Sequence, residues 1–169
     1  MGYVTYDSLY FSTFTIYRWI KLFENPKYIE VLLNAMRFLS KENKWVLFGF
    51  VIMPNHIHLF YSIPEPISNK ALKHSFLSYT SKQILPMLSA EMKAQFYVKK
   101  SDRTYQIWKS PSLSVEINSP KFVRQKLNYI HENPVRAGHV KENALYSWSS
   151  YPSYELGIPQ YDFLTLWHI

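Results

Sequence analysis

From Pro26 to Lys44 the apolar residues Tyr28, Ile29, Leu32, Leu33, Met36 and Leu39 recur at three- and four-residue spacing, which predicts an amphipathic helix with Pro26 at a favourable start. Ahead of it, Leu9-Tyr10-Phe11-Ser12-Thr13-Phe14-Thr15-Ile16-Tyr17 is dense in β-branched and aromatic residues and predicts a first strand. Behind it, Trp45 to Met53 is a near-continuous apolar run, read as a central strand; the turn-forming pair Pro54-Asn55 then sends the chain back through His56 to Ile63. These two strands are expected to form a hairpin. A second helix follows Pro64-Glu65-Pro66, over Asn69 to Leu85, and Met87 to Arg103 carries no decisive pattern. Tyr105 to Trp108 and Leu113 to Ile117 read as short strands, and Ser119 to His131 as a third helix capped by Ser119 with Pro120 in its first turn.

The order β-α-β-β-α-β-β-α implies an α+β sandwich, an antiparallel sheet packed with helices. A chain of 169 residues, 47% hydrophobic and 18% aromatic, suffices for one well-packed domain, and neither a repeat nor a low-complexity linker divides it. Residues 1–169 are read as a single domain, with 140–169 as its C-terminal extension. The absence of cysteine excludes disulfides and thiolate metal sites and fits a reducing cytoplasm. Met1 to Tyr10 lacks the basic-then-apolar pattern of a secretory leader, and Trp45 to Met53 is too short to span a bilayer. A soluble, cytoplasmic protein without a membrane partner is expected.

Net charge is +7, and its location changes the picture more than its size. Between Lys93 and Lys141 stand ten Lys or Arg against three Asp or Glu, so this stretch holds the whole excess. Such a face is either simply solvated or a phosphate-binding surface that releases counterions from a polyanion. Phe96, Tyr97, Tyr105, Trp108 and Phe122 interleave with these charges as candidate rings for stacking on unpaired bases, although most rings in so aromatic a domain must be core.

Alternation along the returning strand puts His56, His58, Phe60 and Ser62 on one face and Ile57, Leu59, Tyr61 and Ile63 on the other. The second face is core; the first opens with two imidazoles, which are either hydrogen-bonded structural histidines or two donors to one cation. With no third His, Cys or carboxylate nearby, a harder ion such as magnesium or manganese suits the pair better than zinc. In the third helix Lys126, Tyr129 and Asn133 share one side, while Val123, Leu127 and Ile130 form the apolar side that packs on the sheet. A tyrosine hydroxyl, with an unperturbed pKa of about 10, needs a nearby cation to act as a nucleophile at neutral pH. Asn133 offers an amide oxygen at the helix C-terminus, whose partial charge favours a cation, and Asn133-Pro134 also reads as a plain helix stop.

Taken together, Ile52-Met53-Pro54-Asn55-His56-Ile57-His58-Leu59 and Tyr129-Ile130-His131-Glu132-Asn133-Pro134-Val135-Arg136-Ala137-Gly138 resemble the REP-associated tyrosine transposases, a branch of the IS200/IS605-like single-tyrosine (Y1) HUH transposases. Supporting stretches are Phe11-Ser12-Thr13-Phe14, Tyr79-Thr80-Ser81-Lys82, Tyr105-Gln106-Ile107-Trp108 and Tyr146-Ser147-Trp148-Ser149-Ser150-Tyr151. The resemblance implies a ferredoxin-like HUH fold that binds single-stranded or hairpin-forming DNA and cuts and rejoins it by transesterification. By position it implies His56, His58 and Asn133 as ligands of a divalent Mg2+ or Mn2+ ion. It implies Tyr129 as the nucleophile that leaves a 5′-phosphotyrosine and a free 3′-hydroxyl. Lys121, Arg124, Lys126, Arg136, Lys82 and Trp108 are the candidate DNA contacts.

Leu77, Ser112-Leu113-Ser114 and His139 depart from the family pattern without removing a proposed catalytic group, and bear on which DNA is read. Two other classes compete: a domesticated or inactive sequence-specific nucleic-acid-binding protein that keeps the fold, and a metal-dependent hydrolase unrelated to DNA. Intact His56, His58 and Tyr129 favour the transposase over the first, and the localised charge argues against the second. The resemblance is compatible with a monomer using Tyr129 in cis or a homodimer exchanging it.

Overall fold

A computed structural model describes residues 8–168 of the chain. The leader reading over Met1 to Tyr10 therefore falls largely outside the described residues. Strand β1 (Ser8–Thr15), helix α1 (Pro26–Lys41), strands β2 (Val46–Met53) and β3 (His56–Ile63), helix α2 (Asn69–Ile84), the short α3 (Ala90–Gln95), strand β4 (Leu113–Ile117), helix α4 (Pro120–Arg136) and the short α5 (Tyr151–Glu155) follow in order. The sheet is antiparallel with order β2-β3-β1-β4, the ferredoxin-like arrangement that the resemblance implied. Among the described residues no helix is long and apolar enough to cross a membrane.

Sheet alternation divides the interior into two layers. Leu47, Phe50, Ile52, Ile57, Leu59, Tyr61 and Ile63 pack under α1 and α2, where Ile29, Leu32, Met36, Leu72 and Phe76 meet them. Phe11, Phe48, Val51, Met53 and Phe60 face the other way, against Val123, Leu127 and Ile130 of α4. Helix α1 has the stripe that the spacing predicts, with Asn25 as its cap: the Asn25 side chain accepts from the Lys27 N–H. At Gly49 a bulge shifts the β2 register, so α4 lies close over the backbone there. A Cβ on Gly49 would stand 2.7 Å from Leu127 Cδ2.

Three expectations are corrected. Strand β2 is an edge strand in the sheet order rather than a central one, yet both faces and most of its length are buried. Its apolar run is explained by what covers the edge: the chain after α4 returns along it. Ile52 N–H donates to the Trp148 carbonyl (2.8 Å), Ser150 N–H to the Phe50 carbonyl (2.9 Å) and Thr165 N–H to the Leu47 carbonyl (2.9 Å). The hydroxyls of Tyr146 and Tyr154 add bonds to the Ile52 and Phe48 carbonyls, both 2.7 Å. Satisfied backbone groups, and not a fifth strand, close this edge.

Tyr105 to Trp108 forms no strand; it makes isolated bridges from Tyr105 to Tyr97 and from Trp108 to Ile16. Helix α4 does not stop at His131 or Asn133 but continues through Pro134 to Arg136. Its end is set further on by Gly138, whose φ is 74°, in a paired closure: Gly138 N–H donates to the Val135 carbonyl and His139 N–H to the Pro134 carbonyl, each 2.9 Å. Proline removes one internal donor, but the closing turn belongs to the glycine, so Asn133 sits inside the helix.

Candidate active site

Strand β3 presents His56 and His58 on the α4 side of the sheet, opposite Thr15 and Thr13 of β1. His58 is 4% exposed. Its ring stacks on Phe11 (centroids 5.4 Å, 21° between planes), and its Nδ1 is 2.8 Å from Thr13 Oγ1. The other nitrogen, Nε2, is buried and has no hydrogen-bond partner. A buried polar atom left unpaired is uncommon and calls for a ligand or a functional reason.

His56 lies beside it, ring centroids 4.8 Å apart, with Nδ1 2.7 Å from Asn55 Oδ1. An amide oxygen only accepts, so with Oδ1 facing it His56 Nδ1 carries the proton and Nε2 keeps its lone pair. Burial, then repulsion from His56 and from Lys126, pushes the His58 pKa down to about 3. Burial also lowers that of His56; a hydrogen bond with Asn133 opposes the shift and His139 adds to it. Both rings are therefore neutral near pH 7, the form in which imidazole donates to a cation.

Helix α4 brings the other half. Its apolar stripe of Val123, Leu127 and Ile130 fixes the rotation of the helix on the sheet, so that Tyr129 and Asn133 come over the histidines. The Tyr129 ring stands edge-on to His58 (5.2 Å, 73°) and to Phe11 (5.9 Å, 77°) and remains 37% exposed. Lys126 places Nζ 4.7 Å over the Phe11 ring and 6.0 Å from that of Tyr129. His56, His58, Lys126, Tyr129 and Asn133 thus meet at one end of the sheet, as the sequence pattern anticipated.

The remaining candidates scatter. Lys121 and Arg124 are exposed along the first turns of α4 beside Phe122, and Arg136 is tied to Glu132 in an exposed i,i+4 pair (3.3 Å). Lys82 lies on α2, in the opposite layer, along a surface groove shared with Asp102, Arg103 and Lys109. Trp108 corrects the expectation of a stacking ring: it is 6% exposed, packs on Phe14 and Phe23, and donates its Nε1–H to Thr80 Oγ1 (3.0 Å). Phe96 is likewise fully buried. Sequence reasoning missed Thr13, Phe11 and Asn55, which hold the two imidazoles, and treated His139 as a departure rather than a neighbour of His56. Only Asn55, next to His56 in a turn, left a local signal.

Among the described residues no group of three or more His, Cys, Asp or Glu could share a metal ion. The donor set is two imidazoles and one carboxamide, which fits a divalent ion that completes its shell with water or phosphate oxygen. Comparison with known proteins now bears on this arrangement. The model of the family described as "Transposase IS200 like" matches residues 8–132. A Haemophilus influenzae protein named as a REP-associated tyrosine transposase is 26% identical over 147 residues, covering 87% of this chain and 81% of that one. The solved structure of a REP-associated tyrosine transposase bound to a REP hairpin superposes with a TM-score of 0.69 at 16% identity, over 100% of this chain and 93% of the other, a likeness of fold.

Proposed function

The chain belongs to the IS200-like transposase family, and from that premise we propose that it binds hairpin-forming single-stranded DNA and cleaves and rejoins it at Tyr129, with a Mg2+ or Mn2+ ion held by His56, His58 and Asn133. The observation that carries the reading is the approach of the Tyr129 ring to within 5.2 Å of the His58 ring, whose Nε2 is buried and unpaired. The hairpin partner is supported by the fold relative, a REP-associated tyrosine transposase solved with a REP hairpin bound to it.

Tyr129 Oη attacks the scissile phosphorus: the phosphorus–Oη bond forms, the bond from phosphorus to the 3′-oxygen breaks, and that oxygen leaves and takes up a proton while the phenolic proton passes to solvent. The phosphotyrosine keeps the ester energy, so a returning 3′-hydroxyl reverses the step without a nucleotide cofactor. When bound, the metal ion supplies charge neutralisation at the phosphate. Phe11 and His58 hold the tyrosine ring in place, which lowers the cost of reaching the phosphate in line. Lys126 sets an ammonium on the same face to meet phosphate charge, whereas Lys121 and Arg124, on the outer side of α4 with Gln125 and Asn128, would meet phosphates beyond the site, and Arg136 would first have to leave Glu132. Lys82, in the other layer, would serve a separate stretch of the strand.

Incubating the protein with hairpin-forming single-stranded DNA and Mg2+ or Mn2+ should give a covalent adduct that survives denaturation and disappears in Tyr129→Phe. Binding without any adduct would replace the transposase reading with that of an inactive binder. An adduct that persists in Tyr129→Phe would overturn the nucleophile.

A further inference from the structure

Of the five tryptophans, Trp45 and Trp108 are buried and Trp148 and Trp167 half-buried, while Trp19 is 59% exposed. It stands in the turn Tyr17–Trp19 that leaves β1, and both Arg18 (φ 56°) and Trp19 (φ 54°) occupy the left-handed region. Bulky side chains are strained there, and burial of the indole does not offset the strain, because the ring is outside. The turn is nonetheless held firmly. Trp19 N–H donates to the Ile16 carbonyl (2.9 Å), Ile16 N–H to the Asn55 carbonyl (2.8 Å) and Tyr17 N–H to the Ile107 carbonyl (2.8 Å).

One cation lies on this ring and a second on the ring of Tyr17, two residues before it. Lys109, anchored by its own N–H on the Thr15 carbonyl (2.7 Å), places Nζ 4.4 Å from the Trp19 ring centre, and the Arg18 guanidinium lies over Tyr17 (5.1 Å). One side chain links the group to the candidate active site: Asn55 donates from Nδ2 to the Trp19 carbonyl (3.4 Å) and accepts at Oδ1 from His56 Nδ1 (2.7 Å). An exposed indole with an ammonium on it, next in the turn to a guanidinium that lies over Tyr17, suits a flat base carrying a phosphate, the chemistry of unpaired DNA.

We propose that Trp19 is a stacking platform for an unpaired base of the single strand that enters the His56–Tyr129 site, with Lys109 and Arg18 on the adjoining phosphates. The proposal rests on the DNA-cleaving reading of that site and adds to it the place where the strand is gripped. Asn55 then has two tasks, orienting His56 and fixing the turn that carries the platform.

The test uses the full chain with Tyr129→Phe, which blocks cleavage, and two fluorescein-labelled DNA hairpins of one stem, one blunt and one with oligothymidylate tails, since base stacking on aromatic rings tolerates any sequence. Trp19→Ala should weaken anisotropy-detected binding of the tailed hairpin by about tenfold and leave the blunt one unchanged, whereas Trp19→Phe keeps most of the affinity. Unchanged binding of the tailed hairpin, or an equal loss on both, overturns the platform. Adduct formation with Tyr129 intact is measured in parallel. An adduct together with unchanged tailed binding in Trp19→Ala sinks only the platform; no adduct and no binding of the tailed hairpin by the parent protein sinks the cleavage reading and the platform with it.

Discussion

Tyr129 and His58 belong to one chain and meet within it, ring edge to ring face, with centroids 5.2 Å apart. Asn133, one turn beyond Tyr129, forms a side-chain hydrogen bond with His56 of the same chain. Helix α4 is bound to its own sheet by Val123, Leu127 and Ile130, so no exchange of this helix between copies is needed to complete the site. Each copy is therefore expected to act in cis. Mixing Tyr129→Phe with His58→Ala protein should form no covalent DNA adduct above the sum of the two alone. Recovery of adduct towards half of the wild-type level would show that the tyrosine serves a partner's histidines.

Burying His58 with Nε2 unpaired costs stability that is recovered only when something binds there. An unsatisfied buried polar atom costs about 1–3 kcal/mol. His58→Phe removes that atom while keeping a flat ring against Phe11, and it also loses the bond to Thr13 Oγ1, worth about 1 kcal/mol. The metal-free variant should be as stable as the parent or about 1 kcal/mol more so, and the rise in Tm that Mn2+ confers on the parent should vanish. A large loss of metal-free stability in this variant would mean that His58 is a structural residue with a satisfied role.

Those two side chains also mark how far the sequence could be read. His56, His58, Tyr129 and Asn133 were legible because strand alternation and helix spacing are local rules, and each rule put its residues on the face where they are found. Thr13 and Phe11 were not, because their relation to His58 depends on the register of β1 against β3, and residues so far apart in the chain carry no mark of it. The edge position of β2 was hidden for the same reason: its apolar run reports burial, and the cover comes from Trp148, Ser150 and Thr165 at the far end of the chain. Trp108 and Trp19 show the limit of composition. Both are tryptophans close to cations in sequence, and only packing against Phe14 and Phe23 distinguishes the core ring from the open one.

Acid should destabilise the fold before any carboxylate is titrated. The native pKa of His58 is pushed down to about 3 and that of His131, buried with Nε2 2.8 Å from Ser150 Oγ, to about 4, while both return to about 6.5 on unfolding. Below pH 6.5 the unfolded chain then binds more protons than the native one, so stability is complete above that pH and falls as pH drops towards 4 and 3. Each histidine contributes a slope of at most about 1.4 kcal/mol per pH unit in this window. Urea midpoints taken from pH 7.5 down to 4.5 should decline, and His131→Gln should flatten part of the decline. A midpoint independent of pH over that range would contradict neutral burial of these rings.

Gly49 controls how closely α4 approaches the sheet, and through α4 the position of Tyr129. A Cβ there would lie 2.7 Å from Leu127 Cδ2, 3.6 Å from Ser150 Oγ and 3.7 Å from Ile130 Cδ1. Leu127 is buried, so its methyl can yield only by displacing neighbours or by lifting the helix. Gly49→Ala is expected to cost about 1–3 kcal/mol, the usual range for overpacking. It should also slow adduct formation more than it weakens binding of hairpin DNA, because only the former depends on the Tyr129–His58 approach. Leu127→Val removes a methylene opposite the new methyl group. The double variant should therefore be more stable than the sum of the two single losses predicts, with an interaction energy of about 0.5–3 kcal/mol. Additive losses in thermal or urea unfolding would mean that Gly49 is needed for the bulge in β2 and not for the passage of α4.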